Sequence, residues 1–464
     1  MTIDVLPDDV FLEIFAIYFK LPDKVKSNLG PAEYMGQWHL LVQVCQRWRQ
    51  IICGSPRYLA LYLYCSKKIG IPVKDLGYWP TFPIVMRYNV PSSEDDVIAI
   101  LRNSDRVGDI KLWVRNSRWG KVLAAMQEPF PVLTRLFLQG YPKYDAPVLP
   151  GGFLGGSAPC LQYIELSRMP FPELPTLLLS ARNLVSLRLD CIPPTGYISP
   201  EAMVAGLAVL TKLESLDIGF KQWPPLTESR RQDPSMRAIL PALTTFRFNG
   251  SSEYVDALMA EIDAPRLFDS VMHVDHLPVP QLFQFIGRTE ILRFRQVELD
   301  FARGNKLDIL LEVYPYRPYD DIVPQFFLST SFDWSRTHVA HIAFILTQTF
   351  TICSDVDLLH ILVSDDHPGW HDDIDNAEWL AFFRLFPTVK TLHLHRKFAA
   401  QVARALEDVP GEIVTEVLPS LHTLILETWD EEELISAEQF ASLRQLNGRP
   451  ITIRNGALDE TEEF

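Results

Sequence analysis

Imidazoles and carboxylates, the side chains best suited to chemistry in this sequence, are most concentrated in residues 365–373, which include His367 and His371. Both groups are ligands that a divalent metal accepts. Pro368 and Gly369 separate the two histidines, which is typical of a solvated loop that follows a strand. We therefore expect no metal site here. A metal-dependent hydrolase that uses His367 and His371 stays as an alternative.

The sequence contains no other motif that predicts catalysis. The patterns G-x-x-x-x-G-K-[ST], H-E-x-x-H and G-x-S-x-G do not occur, and the glycine-rich stretch 151–156 lacks the Lys-Ser/Thr that binds phosphate and magnesium. We interpret Cys45 as a packed thiol, because Arg47 and Arg49, its neighbouring cations, lie on another face of the predicted helix. The sequence favours a protein that is not an enzyme and needs no cofactor.

Composition favours a folded intracellular protein. The chain has 464 residues, is 47% hydrophobic and carries a formal net charge of −15 with a pI near 5.2. This charge repels nucleic acid and anionic lipid, so we expect neither as a partner. The longest apolar run, Val339 to Cys353, is too short to cross a bilayer. Six cysteines without C-x-x-C pairs indicate reduced thiols, as in the cytoplasm or nucleus.

Two helices are predicted in the first sixty residues. Pro7 followed by Asp8 and Asp9 is typical of a helix start, and the helix should run to about Phe19. Its surface is apolar nearly all round and is interrupted only by Glu13, so it must be covered on every side. A second helix, residues 37–52, has a one-sided apolar stripe for packing against the first. The first helix therefore needs further cover.

These two segments resemble the F-box motif. The matching residues are Leu6-Pro7, Val10-Phe11, Ile14-Phe15 and Val44-Cys45-Gln46-Arg47-Trp48-Arg49. Residues 55–59, Ser-Pro-Arg-Tyr-Leu, resemble the Pro-Arg-Leu-Trp close of many fungal F-box sequences. The resemblance implies a three-helix fold that docks a Skp-type adaptor and thereby joins a cullin-RING ubiquitin ligase.

The resemblance also implies a role for individual residues. The implied adaptor contacts are Leu6, Pro7, Val10, Phe11, Ile14 and Phe15, and the implied F-box core is Val44, Cys45 and Trp48. The alternative is that residues 1–60 only cap the larger domain and bury the first helix inside the chain.

From about residue 100 the pattern L-x-x-L-x-L recurs, as the strands of leucine-rich repeats require. Six middle positions lie 23 to 30 residues apart: Ile110, Leu136, Ile164, Leu187, Leu216 and Phe246. Further candidates centre on Leu292, Ile342, Leu359, Leu392 and Leu424. Helical stretches are expected at residues 200–208, 252–262 and 397–408. The alternative is that the pattern only reflects amphipathic elements in a leucine-rich chain.

The predicted fold class is α/β, with an N-terminal helical F-box followed by an irregular leucine-rich-repeat solenoid with a parallel sheet. We place the F-box domain at residues 1–60, a connecting segment at 61–100, the repeat domain at 101–455 and an acidic tail at 456–464. The position after each strand where regular repeats carry a buried asparagine holds other residues, so the repeats should be irregular.

These features predict a substrate-recognition subunit of an SCF-type ubiquitin ligase whose repeats bind a protein substrate. Residues between the strand leucines should face that substrate: Arg188, Asp217, Arg247, Arg293 and His393. Catalysis would come from the recruited ligase. The alternative is a leucine-rich-repeat scaffold that binds proteins and has no ligase role.

Overall fold

The chain divides into two compact units, Met1–Gln222 and Trp223–Phe464. This computed structural model describes residues 6–19, 38, 40–59, 61–66, 73–79, 81–90, 94–114, 119–141, 146–222, 237–276, 279–289, 295–302, 306–312, 325–331, 356–362, 376–407, 416–427 and 431–456. Within these ranges, no helix has both the length and the apolar character needed to span a bilayer.

The first unit begins with helices, as predicted. Helix α1 spans Asp8–Phe19, residues 40–44 are helical and α2 spans Gln46–Gly54. The expected single helix over 37–52 is wrong, because Cys45 is extended (φ −157°, ψ 169°) and separates the two segments. The Cys45 thiol accepts a hydrogen bond from the Trp48 N–H at 3.4 Å and so caps α2.

Among the described residues of the first unit, seven parallel strands follow, and β1 to β7 pair with one another in chain order. They are β1 (Leu63–Ser66), β2 (Ile84–Val90), β3 (Val107–Val114), β4 (Arg135–Gly140), β5 (Tyr163–Ser167), β6 (Ser186–Ile192) and β7 (Ser215–Phe220). The predicted strands centred on Ile110, Leu136, Ile164, Leu187 and Leu216 are all confirmed. Two of the strands, β1 and β2, lie in the segment 61–100, which we had assigned to a connection.

Register explains why the leucine pattern makes a core. Ile110, Leu136, Ile164, Leu187 and Leu216 are aligned across successive strands and all are buried. The residues between them alternate to the opposite face, as the two-residue period of a strand requires. The sheet therefore has one buried face and one outward face.

Short helices connect the strands of the first unit. They are α3 (Glu94–Leu101), α4 (Trp119–Ala125), α5 (Leu174–Leu178) and α6 (Pro200–Leu207), with 3₁₀ turns at Val73–Tyr78, Phe153–Gly156 and Pro194–Gly196. The helix expected at 200–208 is confirmed. Ser199 caps it by accepting the Ala202 N–H at 3.3 Å, and Pro200 occupies the first turn, where no N–H partner is needed.

The second unit has a less regular sheet. Its strands are β8 (Ala238–Ile239), β9 (Thr245–Gly250), β10 (Ile262–Asp263), β11 (Asp269–Val274), β12 (Gln296–Ala302), β13 (Lys306–Glu312), β14 (Gln325–Ser331), β15 (Leu358–Leu362), β16 (Thr391–Leu394), β17 (Thr423–Leu426) and β18 (Thr452–Asn455). The main sheet follows the order β9-β11-β14-β13-β12-β15-β16-β17-β18, and β8 pairs with β10. Strand β13 is antiparallel to both neighbours, whereas the other described pairings of this main sheet are parallel, as predicted.

The helices of the second unit are α7 (Ser252–Glu261), α8 (Pro280–Arg288), α9 (Asn376–Phe383), α10 (Arg396–Glu407) and α11 (Glu431–Leu446). Helices α7 and α10 confirm the helices expected at residues 252–262 and 397–408. Strands β9, β15, β16 and β17 confirm the four predicted strands centred on Phe246, Leu359, Leu392 and Leu424. Strands β8, β10, β11, β12, β13, β14 and β18 were not predicted. Predicted features that lie outside the described residues are the strand centres Leu292 and Ile342 and the residues His367 and His371.

Candidate protein-binding surfaces

Helix α1 has one face in the core of its own unit. Phe11 and Phe15 are buried, and their ring centroids lie 5.8 and 5.1 Å from that of Trp48. Both phenylalanines were expected to contact an adaptor. In this structure the two rings instead pack against Trp48, and their contact with an adaptor stays a prediction.

An adjoining face of α1 is apolar and exposed. Val10, Ile14, Ile17 and Tyr18 are 40% to 69% exposed, and together we call them the docking face. Their positions i, i+4, i+7 and i+8 place them along one side of the helix. Just before the helix, Leu6 is partly buried and Pro7 is exposed. The apolar circumference seen in the sequence is thus half covered.

Polar contacts fix the orientation of α1. The Arg47 guanidinium donates to the Leu6 carbonyl at 2.6 Å and to the Asp8 carboxylate at 2.7 Å, and it lies 4.9 Å from the centroid of the Phe11 ring. Farther along the helix, the Tyr58 hydroxyl donates to the Glu13 carboxylate. That hydrogen bond is the largest cause of the raised pKa of Tyr58. These contacts hold the docking face outward.

The three residues of the implied F-box core, Val44, Cys45 and Trp48, are not all buried. Trp48 is half-buried against the two phenylalanines, but Val44 is 59% exposed and Cys45 is exposed. The expectation that Val44 and Cys45 lie in the core is wrong. The extended backbone at Cys45 shifts the helical register, so that Val42 is the buried valine.

An aromatic cluster anchors the helices to the start of the sheet. Trp38 is buried, stacks on Phe82 with centroids 4.9 Å apart and meets Trp79 edge-on at 5.2 Å. The Thr81 hydroxyl donates to the Cys53 carbonyl at 2.9 Å. The helices therefore pack directly on the residues that lead into β2.

The outward sheet face of the first unit carries a lateral row of polar and aromatic residues. Lys111, Phe137, Glu165, Arg188 and Asp217 occupy matching positions on β3 to β7. The Arg188 Nε lies 3.3 Å from the Asp217 carboxylate and 3.8 Å from that of Glu165. Two predicted substrate-binding residues, Arg188 and Asp217, are therefore neighbours on this face.

Cations also lie over aromatic rings on this face. The Lys111 Nζ is 4.4 Å from the Phe137 centroid and 5.0 Å from that of Trp113, and the Arg135 guanidinium is 4.7 Å from that of Tyr163. We call Lys111, Trp113, Arg135, Phe137 and Tyr163 the cation–aromatic patch. These residues were not predicted as a site, although the rule that selects residues between strand leucines would have included Lys111 and Phe137.

The other predicted substrate-binding residues belong to the second unit or are not described. Arg247 is exposed on β9, and Arg293 lies outside the described residues. His393 on β16 stacks on His360 of β15, with ring centroids 4.1 Å apart and planes at 7°. Burial lowers the pKa of His393 below its ordinary value, and the neighbouring His360 lowers it further while Glu427 opposes the shift.

Comparisons with known proteins identify no family for this chain. No protein-family model and no curated protein matches it. Among solved structures, the chain is similar to the leucine-rich repeat-containing protein LegL7 from Legionella pneumophila, with 12% identity and a TM-score of 0.27, over 79% of this chain and 99% of LegL7. The repeat interpretation therefore depends on the strand register described above.

Proposed function

We propose that this chain is the substrate-recognition subunit of an SCF-type ubiquitin ligase. The docking face of α1 binds a Skp-type adaptor, and the outward sheet face holds a protein substrate. The observation that carries the proposal is the division of α1 into two faces. Phe11 and Phe15 secure the helix to its own unit, whereas the docking face leaves four large apolar side chains exposed.

Burial of the docking face alone does not offset the cost of association. Complete burial of an aliphatic or aromatic side chain contributes roughly 1.5–3 kcal/mol, and these four side chains are each about half exposed, so burying the rest contributes roughly 3–6 kcal/mol. Association costs about 4–15 kcal/mol. Additional fitted contacts are therefore required, and Leu6 and Pro7, which directly precede the helix, are placed to provide them.

The cation–aromatic patch supports a protein as the substrate. Tryptophan, tyrosine and arginine contribute most of the binding energy in protein interfaces, and Trp113, Tyr163 and Arg135 are all present here. Nearby, Glu165, Arg188 and Asp217 provide charges of both signs. This face suits a substrate segment that offers both aromatic and charged groups.

A binding assay with a purified Skp-type adaptor tests the first half of the proposal. The double variant Ile14→Glu with Ile17→Glu should lose adaptor binding, because two charges would be buried without partners. The matched control is Ile435→Glu on α11, where the isoleucine is also exposed in a helix and binding should not change. Failure of the wild-type chain to bind the adaptor, or unchanged binding by the double variant, would refute this docking surface.

The second half of the proposal, that the sheet holds a protein substrate, is tested by co-purification. Ubiquitin conjugates should co-purify with the chain when the proteasome is blocked. Replacing Trp113 and Phe137 together with alanine should remove the conjugates and leave adaptor binding intact. Tyr78→Ala is the matched control, since Tyr78 is an exposed aromatic residue on a 3₁₀ turn outside the patch. If adaptor binding is absent and a bound protein still depends on Trp113 and Phe137, the chain is a scaffold without a ligase role.

A further inference from the structure

The outward face of the sheet in the second unit brings together nitrogen and oxygen donors that a metal ion can use. His360, His393 and Glu427 each offer one donor atom, and the three atoms lie within 4.8 Å of one another. We call these residues the histidine cluster. Their side chains are 18%, 24% and 27% exposed, so the cluster is reachable but largely shielded from water.

His360 is held as a metal-binding histidine usually is. Its Nδ1 lies 3.3 Å from the Glu298 carboxylate, while its Nε2 is buried and has no hydrogen-bond partner among the described residues. Metal-binding histidines commonly donate one ring N–H to a carboxylate, which fixes the tautomer and makes the other nitrogen a better ligand. Glu298 thus directs the Nε2 lone pair of His360 toward a ligand.

His393 and Glu427 complete the donor set. The His393 Nε2 lies 2.8 Å from one Glu427 carboxylate oxygen, and the His395 Nε2 lies 4.0 Å from the other. His360 and His393 are paired in register on β15 and β16, and Glu427 directly follows β17. Three adjacent strands therefore supply the three donors from a fixed backbone.

We propose that His360, His393 and Glu427 bind one divalent transition-metal ion, with zinc as the preferred ion. Tetrahedral zinc with bonds of about 2.0–2.1 Å needs donor atoms roughly 3.4 Å apart. The donor atoms must therefore move by about 1 Å, and the stacked rings of His360 and His393 must turn out of their parallel arrangement so that both lone pairs point at the ion. Two imidazoles and one carboxylate suit zinc, whereas magnesium and calcium prefer oxygen ligands alone. Three protein ligands leave a fourth position for water or for a group from a bound partner.

A second group of similar residues in this unit does not have these features. Glu253, Asp275 and His276 also lie close together, but both ring nitrogens of His276 already face carboxylates, at 3.2 and 2.9 Å. The Asp275 carboxylate accepts the Ser252 N–H at 2.8 Å. This group offers a single imidazole, and one of its two carboxylates is already engaged by the backbone, so it serves as a comparison.

Isothermal titration of the full, metal-stripped chain with zinc chloride tests the proposal. One zinc ion per chain should bind, and His393→Gln or Glu427→Gln should weaken the affinity at least a hundredfold. Glu298→Gln should weaken it about tenfold, since it orients His360 without touching the ion. The matched controls, His422→Gln at an exposed histidine beside β17 and His276→Gln in the comparison group, should bind zinc as the wild type does.

Cobalt provides a second, spectroscopic measurement that reports directly on the ligands of the bound ion and not on the stability of the fold. Cobalt bound by the cluster should produce visible absorption bands in the wild type and in His422→Gln, and these bands should be absent in His360→Gln. Circular dichroism identifies any variant that fails to fold. The ligand variants that do fold then decide whether the cluster binds the metal ion. Absence of zinc binding by the wild type, or binding that survives in the folded ligand variants, overturns the proposal.

Discussion

Gly196 marks a very close approach between neighbouring repeats of the first unit. It ends the 3₁₀ turn that follows β6, and a Cβ built there would lie 2.6 Å from the Cα and 2.9 Å from the Cβ of Pro170, in the connection after β5. Carbon atoms normally approach to about 3.5–4.0 Å, so the two connections would have to separate by about 1 Å. Gly196→Ala should therefore lower the free energy of unfolding by about 1–3 kcal/mol.

Urea unfolding followed by circular dichroism measures this effect, with Gly120→Ala as the matched control. Gly120 lies in α4, and a Cβ there would have no neighbour within 4 Å. Alanine should stabilise that helix by about 0.5–1 kcal/mol, because it restricts the unfolded chain. A Gly196→Ala protein that unfolds at the wild-type urea concentration or above would refute the reasoning about close packing between repeats.

Three further predictions concern single side chains. Phe15→Ala should destabilise the N-terminal helices by about 3–5 kcal/mol, because Phe15 is buried, whereas Ile14→Ala should destabilise them by less than about 0.5 kcal/mol. Hydrogen exchange of the α1 amides measures both effects. Equal effects would contradict the division of α1 into a buried and an exposed face. Burial raises the pKa of Cys65 to about 12, so iodoacetamide at pH 8 should label the exposed Cys160 and spare Cys65. The stability that protonated Cys65 contributes should be complete below pH 9 and decline as the pH rises toward 12, a decline that Cys65→Ala should remove. Burial of Asp357 raises its pKa, but its two neighbouring cations outweigh that effect and hold the pKa below the ordinary value. The wild type should therefore be more stable than Asp357→Asn above about pH 4 and lose that advantage as the pH falls further, and an advantage that persists in acid would contradict this.

The sequence by itself determined the elements whose signal is local. Leucines two residues apart place their side chains on one face of a strand, so the strands centred on Ile110 through Leu216 could be located from the pattern alone. The helical stretch predicted at residues 200–208 is equally local, and α6 begins at Pro200 as predicted. The start of α1 at Asp8 followed from the same kind of signal.

Other features depend on contacts between distant parts of the chain. Trp48 decides which half of the apolar helix α1 is buried. The extended backbone at Cys45 decides that Val44 is exposed. The helical period of the sequence reveals neither of these effects. The antiparallel strand β13 follows from hairpins that the leucine pattern does not encode.

The histidine cluster shows the same limit most clearly. His360, His393 and Glu427 are each more than thirty residues from the next along the sequence, and they meet because β15, β16 and β17 pair in parallel. The metal ligands considered from the sequence were His367 and His371, where Pro368 and Gly369 indicated a solvated loop and no site was expected. Residues far apart in the sequence, such as His360 and Glu427, gave no such signal. Strand register, which only the tertiary structure fixes, decides which side chains stand beside each other.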